Sequence, residues 1–188
     1  LTYLHTDSFY LGLSLLSIVV FIFLVTRDVA YKHLIIRSWL CLACVMIVGV
    51  TTGRYSMIQI ILPMMVYVCA VDVFSFTRSG KNTLNAKAIQ SNKWLPRLLV
   101  YGCSFKSKKP VATKGFGDYF WYSVAFSTIY TTYGKLVGLY AILAIILGVL
   151  INLLIIYRIY KYTWYKGFPA TVGPLGLCIL LVIFSATS

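Results

Sequence analysis

The sequence contains no glutamate and only four acidic residues, against 17 lysines and arginines. The four acids are Asp7, Asp28, Asp72 and Asp118. General acid–base catalysis needs titratable groups close together, and these scattered aspartates form no such pair. The two histidines are not spaced as parts of a catalytic triad, and there is no glycine-rich phosphate loop or paired metal ligands. We therefore predict that the protein is not an enzyme and has no catalytic residues, metal or cofactor.

Charged residues as a class are also scarce. They make up 11% of the chain, while 60% of its 188 residues are hydrophobic. Soluble domains carry about 25% charged residues, and a soluble core of this size could not bury so much apolar surface. The composition predicts an all-α polytopic protein, integral to a membrane.

Six runs of the chain are apolar enough to cross a bilayer, which takes roughly 17 to 25 residues each. They are residues 10–26, 34–52, 55–74, 116–134, 136–157 and 168–188. Pro63 lies inside the third run, where a kink is expected. The fourth run is unusually rich in aromatic residues, so a five-span arrangement without it is the alternative.

The distribution of positive charge favours six spans. Inner loops of membrane proteins collect lysine and arginine. If residues 116–134 cross, the basic stretches 27–37, 75–115 and 158–167 share one face, and the other keeps only Arg54 and Lys135. If residues 116–134 do not cross, the basic stretches 75–115 and 158–167 fall on opposite faces. We therefore expect a three-span unit over residues 1–74, a basic inner-face segment over 75–115 and a second three-span unit over 116–188, with both ends outside.

The basic face indicates an anionic partner, because the net charge is +13 and orientation alone requires only a few charges. Lipid headgroups and a polyanion such as RNA are both candidates. Within 75–115, residues 94–105 could form a short strand or a segment on the membrane surface. The predicted polyanion- or lipid-binding residues are Arg78, Lys81, Lys87, Lys93, Arg97, Lys106, Lys108, Lys109, Lys114, Arg158, Lys161 and Lys166.

The cysteines suggest one modification and no metal site. Cys103 follows an apolar stretch beside the lysine cluster and is a candidate for acylation, as juxtamembrane thiols often are; a plain thiol is the alternative. Cys41 and Cys44 have C-x-x-C spacing. Their neighbours are apolar and no second Cys or His pair is near, so we expect both to serve packing.

The overall layout combines many spans, short outer turns, no Asn-x-Ser/Thr acceptor and one strongly basic inner face. This layout resembles that of the small virion membrane proteins of negevirus- and kitavirus-type insect and plant RNA viruses. The resemblance implies a structural, matrix-like protein of the virion envelope and host endomembranes. Its implied partners are the lipid bilayer, further copies of itself, viral RNA or nucleocapsid, and other envelope proteins. Small-residue contacts around Gly134, Gly138 and Gly148 are candidates for lateral packing between copies of the chain.

An ion channel, such as a viroporin, or a small-solute transporter is the alternative function. The fourth apolar run carries a series of hydroxyl side chains that could line a polar path. They are Ser123, Ser127, Thr128, Thr131 and Thr132. A membrane enzyme is the third possibility, and the lack of an acid–base pair counts against it.

Overall fold

A computed structural model describes residues 2–27, 33–77, 97–103, 110–159, 161 and 169–187. The elements, in chain order, are α1 (Thr2–Thr26), α2 (Leu34–Tyr55), α3 (Ile58–Ser75), β1 (Leu99–Cys103), β2 (Pro110–Gly115), α4 (Phe116–Tyr133), α5 (Lys135–Ile159) and α6 (Val172–Thr187). The protein is mostly helical, as predicted. Each of the six apolar runs overlaps one of these helices.

Four of the helices are long and apolar enough to cross a membrane, as expected of an integral membrane protein: α1 from Asp7, α2, α3 and α5. Helix α6 is apolar but shorter, with 16 residues. Helix α4 is not among the four, because its tyrosines, hydroxyl residues and Asp118 lower its mean hydropathy. Helix α3 continues through Pro63.

Helices that follow one another along the chain run in opposite directions. Tyr55 at the end of α2 donates to Asp7 near the start of α1, and a short turn then leads into α3. Helices α4 and α5 are joined through Gly134, whose φ of 87° lies in the region that favours glycine. Helices α2 and α4 lie parallel, since Gly49 contacts Ser123 and Gly53 contacts Ser127 one turn further along both. The alternation leaves the ends of α1, α3 and α5 beside the starts of α2, α4 and α6.

Helix α4 is the central helix of the fold and packs against α2, α3, α5 and α6. Its buried residues include Val124, Ala125 and Ile129, none of which is exposed at all. One apolar cluster joins α3, α4, α5 and α6. A second joins α1, α2, β1 and the start of α4, around Cys41 and Phe116. The expected boundary between two three-span units is therefore bridged by close packing of α4 on α2 and α3.

Small residues let the helices approach. Within a membrane, lipid is as apolar as leucine, so helices associate by close packing and hydrogen bonds rather than by hydrophobic burial. A Cβ atom built on Gly53 would lie 2.5 Å from the carbonyl oxygen of Val124. Gly148 similarly touches the backbone of Pro174 in α6, and Gly138 touches Tyr130. Gly138 and Gly148, expected to pack between copies of the chain, are buried within it.

Strands β1 and β2 form an antiparallel hairpin, so the protein is not purely α-helical. The backbone N–H of Tyr101 in β1 donates to Ser38 Oγ in α2 at 3.1 Å, and Val100 is buried against the second cluster. Of the two structures left open for residues 94–105, the strand is the one observed over Leu99–Cys103. The hairpin thus covers the start of α2 and leads directly into α4.

Candidate functional site at the basic end of the helices

Most of the described cations lie at one end of the helices, which we call the basic end. It comprises the ends of α1, α3 and α5, the starts of α2, α4 and α6, and the hairpin. The described cations there are Arg27, Arg37, Arg97, Lys114, Arg158 and Lys161. At the opposite end, the described residues include Arg54, which pairs with Asp7 (3.7 Å), and Lys135, the first residue of α5.

Four of the predicted binding residues are described. Arg97 lies two residues before β1 and Lys114 lies in β2. Arg158 is in the last turn of α5, and Lys161 comes shortly after that helix. All four are at the basic end. The remaining predicted residues lie outside the described ranges: Arg78, Lys81, Lys87, Lys93, Lys106, Lys108, Lys109 and Lys166.

Three arginines from different elements converge where α1 ends. Arg37 in the first turn of α2 is only 6% exposed, and its Nη1 lies 3.4 Å from the Arg27 carbonyl oxygen. Arg97 places its Nη1 3.4 Å from the Thr26 carbonyl oxygen. The guanidinium of Arg27 itself lies 4.4 Å from the centre of the Phe23 ring. Arg37 and Arg97 thus bind two successive carbonyl oxygens at the C-terminus of α1.

A second polar group, which we call the polar junction, lies deeper between α3, α4, α5 and α6. The Asp72 carboxylate in α3 accepts hydrogen bonds from the backbone N–H and the hydroxyl of Thr171, at 3.1 and 2.7 Å, where α6 begins. The Ala170 carbonyl oxygen accepts from Asn152 Nδ2 at 2.7 Å and from the Tyr122 hydroxyl at 2.9 Å. Asn152, Tyr122 and Thr171 are all buried. The junction provides hydrogen-bond partners for the backbone groups at the start of α6. This start lies beside Asn152, inside α5, rather than at the level where α5 ends.

Lys114 connects the hairpin to this junction. Its Nζ donates to the Tyr122 hydroxyl at 3.3 Å and lies 5.3 Å from the centre of that ring. Burial lowers the pKa of Lys114, and the nearby Asp118 carboxylate partly opposes this. Lys114 is therefore oriented toward the helices, and less available to an external polyanion than a solvated lysine.

The polar junction was not anticipated as a unit. Asn152 could be recognised as the strongly polar residue of its span, and Asp72 as an acid near the end of another. Nothing in the sequence links Asp72 with Thr171 across 99 positions. The available signal was the combination of Pro169, Gly173 and Pro174 with Asn152, since proline and glycine permit an interrupted helix with backbone groups to satisfy.

The hydroxyl series of α4 serves helix packing. Ser127 Oγ donates to the Val50 carbonyl oxygen at 2.7 Å, and Thr128 Oγ1 donates to that of Gly53 at 3.0 Å. Ser123 and Thr131 donate within α4 itself. These four hydroxyls thus donate to carbonyl oxygens of α2 or of α4 itself. The fifth hydroxyl residue of the series, Thr132, is exposed.

The described cysteines differ in their surroundings. Cys103 is exposed at the end of β1, at the basic end. Cys41 is buried in an apolar cluster, in keeping with the packing role expected for it. Among the residues that the structure describes, no three His, Cys, Asp or Glu side chains are grouped so as to hold a metal ion.

Comparison with known proteins adds nothing to this description: no family model, curated protein or solved structure matches the chain.

Proposed function

We propose that the protein crosses the membrane six times, with the basic end on the inner side. The alternating helix directions support this arrangement, because parallel α2 and α4 would both run outward. The charges support it too, since positively charged residues collect on inner faces. In this orientation both observed chain ends lie outside.

The two unusual helices fit this arrangement for different reasons. Helix α4 is polar for a spanning helix, but its neighbours surround it and its hydroxyls donate to carbonyl oxygens. Helix α6, with 16 residues, is about 24 Å long, against roughly 30 Å of hydrocarbon. The polar junction allows it to begin below the inner surface with its first backbone groups satisfied.

In this membrane, we propose that the protein is structural, packs laterally, and docks an anionic genome or nucleocapsid on its inner face, as a matrix-like protein of a virion envelope. The observation that carries the proposal is the concentration of cations at one end of the helices. A dense array of subunits with charge +13 would repel itself unless an anionic layer lay against it. The large exposed apolar faces of α1 and α5 remain for lipid or for a second copy.

Binding of single-stranded RNA tests the docking function. The full chain would be placed in nanodiscs of neutral lipid and titrated with RNA at several salt concentrations. The test variant changes Lys106, Lys108 and Lys109 to Gln and leaves Lys114, which contacts Tyr122, in place. The control variant changes Arg54 and Lys135 at the opposite end.

We expect wild-type affinity to fall steeply with salt, because binding releases counterions. If the three lysines contact phosphates, the negative slope of log K against log salt should become shallower by about 2 in the test variant. The control should match the wild type. Absence of binding at low salt, or equal losses in both variants, would contradict the docking function.

A transporter of ions or small solutes is the second candidate, and the polar junction favours it. Ionisable side chains within membrane spans are costly and often mark transport pathways. Asp72 in α3 lies in such a position, beside the interrupted start of α6. Flux into proteoliposomes that is lost in Asp72→Asn would support transport, and impermeable wild-type proteoliposomes would exclude it.

A further inference from the structure

Tyr67 lies near the middle of α3 on the side that faces away from the other helices. Its side chain is 68% exposed, and it is about 12 to 13 Å along the axis from either end of the helix. Among the residues that the structure describes, none accepts a hydrogen bond from its hydroxyl. The phenol therefore presents a donor at mid-membrane depth, where lipid tails offer no acceptor.

This position is unusual for an exposed tyrosine. In membrane proteins tyrosine collects near the headgroups, where its hydroxyl meets water. The other tyrosines that are exposed in the described part of the chain lie within about 8 Å of a helix end: Tyr55, Tyr130, Tyr140 and Tyr157. Both ends of α3 are more than two turns from Tyr67, so its hydroxyl needs a partner within the membrane.

Pro63 leaves a complementary acceptor on the same side of α3. Proline has no N–H, so the carbonyl of Gln59 lacks the hydrogen bond of a regular helix. In membrane helices such a carbonyl is commonly satisfied by a neighbouring helix. Exposed residues that recur every three or four positions form the α3 stripe, opposite the buried side of the helix. They are Gln59, Pro63, Tyr67, Ala70 and Phe74.

The α3 stripe is complementary to itself. Copies inserted in the same orientation have parallel α3 helices, and a two-fold axis between them brings the stripe of one copy against that of the other. A tyrosine side chain in a helix leans toward the helix N-terminus, so Tyr67 of one copy points toward the level of the Gln59 carbonyl of the other. Two equivalent hydrogen bonds can form, and the small Ala70 lets the helices approach.

The exposed sides of α1 and α5 differ from this stripe. At mid-membrane depth they carry branched apolar side chains such as Val19, Leu147 and Leu150. Lipid tails are as apolar as these side chains, so neither surface requires a protein partner. The donor and acceptor on α3 therefore favour that helix for contact between copies.

We propose that the protein associates with a second copy of itself through the α3 stripe, with Tyr67 of each copy donating to the Gln59 carbonyl of the other. The interface deepens the lateral packing in the proposed function, on which it rests, and does not require RNA docking.

Association between full-length chains in a bilayer tests the interface. Donor- and acceptor-labelled chains, each labelled on Cys103 with the other cysteines replaced, would be mixed in phosphatidylcholine vesicles. Energy transfer is then measured over a range of protein-to-lipid ratios. The test variant Tyr67→Phe removes only a hydroxyl that contacts no described acceptor, so the fold is retained. Tyr140→Phe, an exposed tyrosine near the end of α5, is the matched control.

We expect the wild type and Tyr140→Phe to associate with equal affinity. Association of Tyr67→Phe should be about tenfold weaker, because two interhelical hydrogen bonds are lost. Undiminished association of Tyr67→Phe, or wild-type chains that remain monomeric at every ratio, would overturn the proposal.

Cross-linking locates the interface independently. Ala70→Cys and Leu147→Cys, each made in a chain whose native cysteines are replaced, place one thiol at the same distance from the start of α3 and of α5. Both positions are exposed. Oxidation should give disulfide-linked dimers of Ala70→Cys and not of Leu147→Cys. The reverse result would overturn the α3 interface and leave lateral packing intact, so the two proposals fail separately.

Discussion

At the scale of single residues, the polar side chains inside the helical bundle are explained by the backbone groups that they satisfy. In an apolar environment an unpaired N–H or C=O group costs several kcal/mol, roughly as much as a lost hydrogen bond in vacuum. Asp72 binds Thr171 at the buried start of α6, while Asn152 and Tyr122 bind the Ala170 carbonyl just before it. The start of this helix thus needs partners from three others.

Asp72 provides a direct test of this explanation. Asp72→Ala removes the acceptor for both Thr171 donors, so we expect it to lower the free energy of unfolding by about 1–3 kcal/mol. Asp72→Asn keeps one acceptor oxygen and should lower it by less. The measurement is thermal or denaturant unfolding in detergent.

The control for Asp72 is Asp7→Ala at the opposite end. Asp7 is partly exposed and pairs with Arg54, and such surface ion pairs contribute about 0–1 kcal/mol. A larger loss in Asp7→Ala than in Asp72→Ala would show that the polar junction does not stabilise the start of α6 as described.

At the scale of elements, the sequence predicted the helices well and their contacts poorly. Long apolar runs must be helical in a membrane because every backbone group needs an internal partner. Helices α2 and α3 cover most of their predicted runs, although α2 continues through Gly53 and Arg54 to Tyr55. Which helices touch depends on side-chain shape. The spacing of Gly49 and Gly53 is a small-residue motif, but only the structure shows that α4 lies against it.

The α2–α4 contact can be tested by adding one methyl group. In Gly53→Ala the new Cβ would meet the Val124 carbonyl oxygen at 2.5 Å and Ser127 Cβ at 2.8 Å. Backbone atoms cannot move aside cheaply, so we expect a loss of about 1–3 kcal/mol in unfolding free energy. The control is Gly12→Ala in α1, where a Cβ would meet nothing within 4 Å. A Gly53→Ala protein as stable as Gly12→Ala would contradict this packing.

At the scale of the whole molecule, charge distribution is the basis for predicting one basic face, because orientation in a membrane depends on the sum of many cations. The described Arg97, Lys114, Arg158 and Lys161 all lie at the basic end of the helices. The summed charge does not indicate the role of any single lysine or arginine. Lys114 was grouped with the lysines that follow Cys103, yet it contacts Tyr122 between the hairpin and α4. Local contacts of this kind depend on the fold, and a single sequence contains no signal for them.

The number of spans is the molecular property on which the proposed function depends most. Six spans place the α2–α3 turn and the α4–α5 turn on the same side, opposite Cys103. If α4 did not cross, the α4–α5 turn would share a side with Cys103. Single-cysteine variants Met57→Cys and Lys135→Cys, made in a chain whose native cysteines are replaced, distinguish these cases. Both positions are exposed, so a reagent that does not cross membranes can reach them.

We expect the two variants to be labelled from the same side of sealed vesicles, and a third variant that retains only Cys103 to be labelled from the other. Helix α4 packs parallel to α2 and ends in the turn at Gly134. If α2 crosses the membrane, α4 must therefore cross beside it, in the same direction. Labelling of Lys135→Cys from the Cys103 side would contradict six spans. It would also place basic residues on both faces, and a single anionic layer could then not balance the charge of an assembled array.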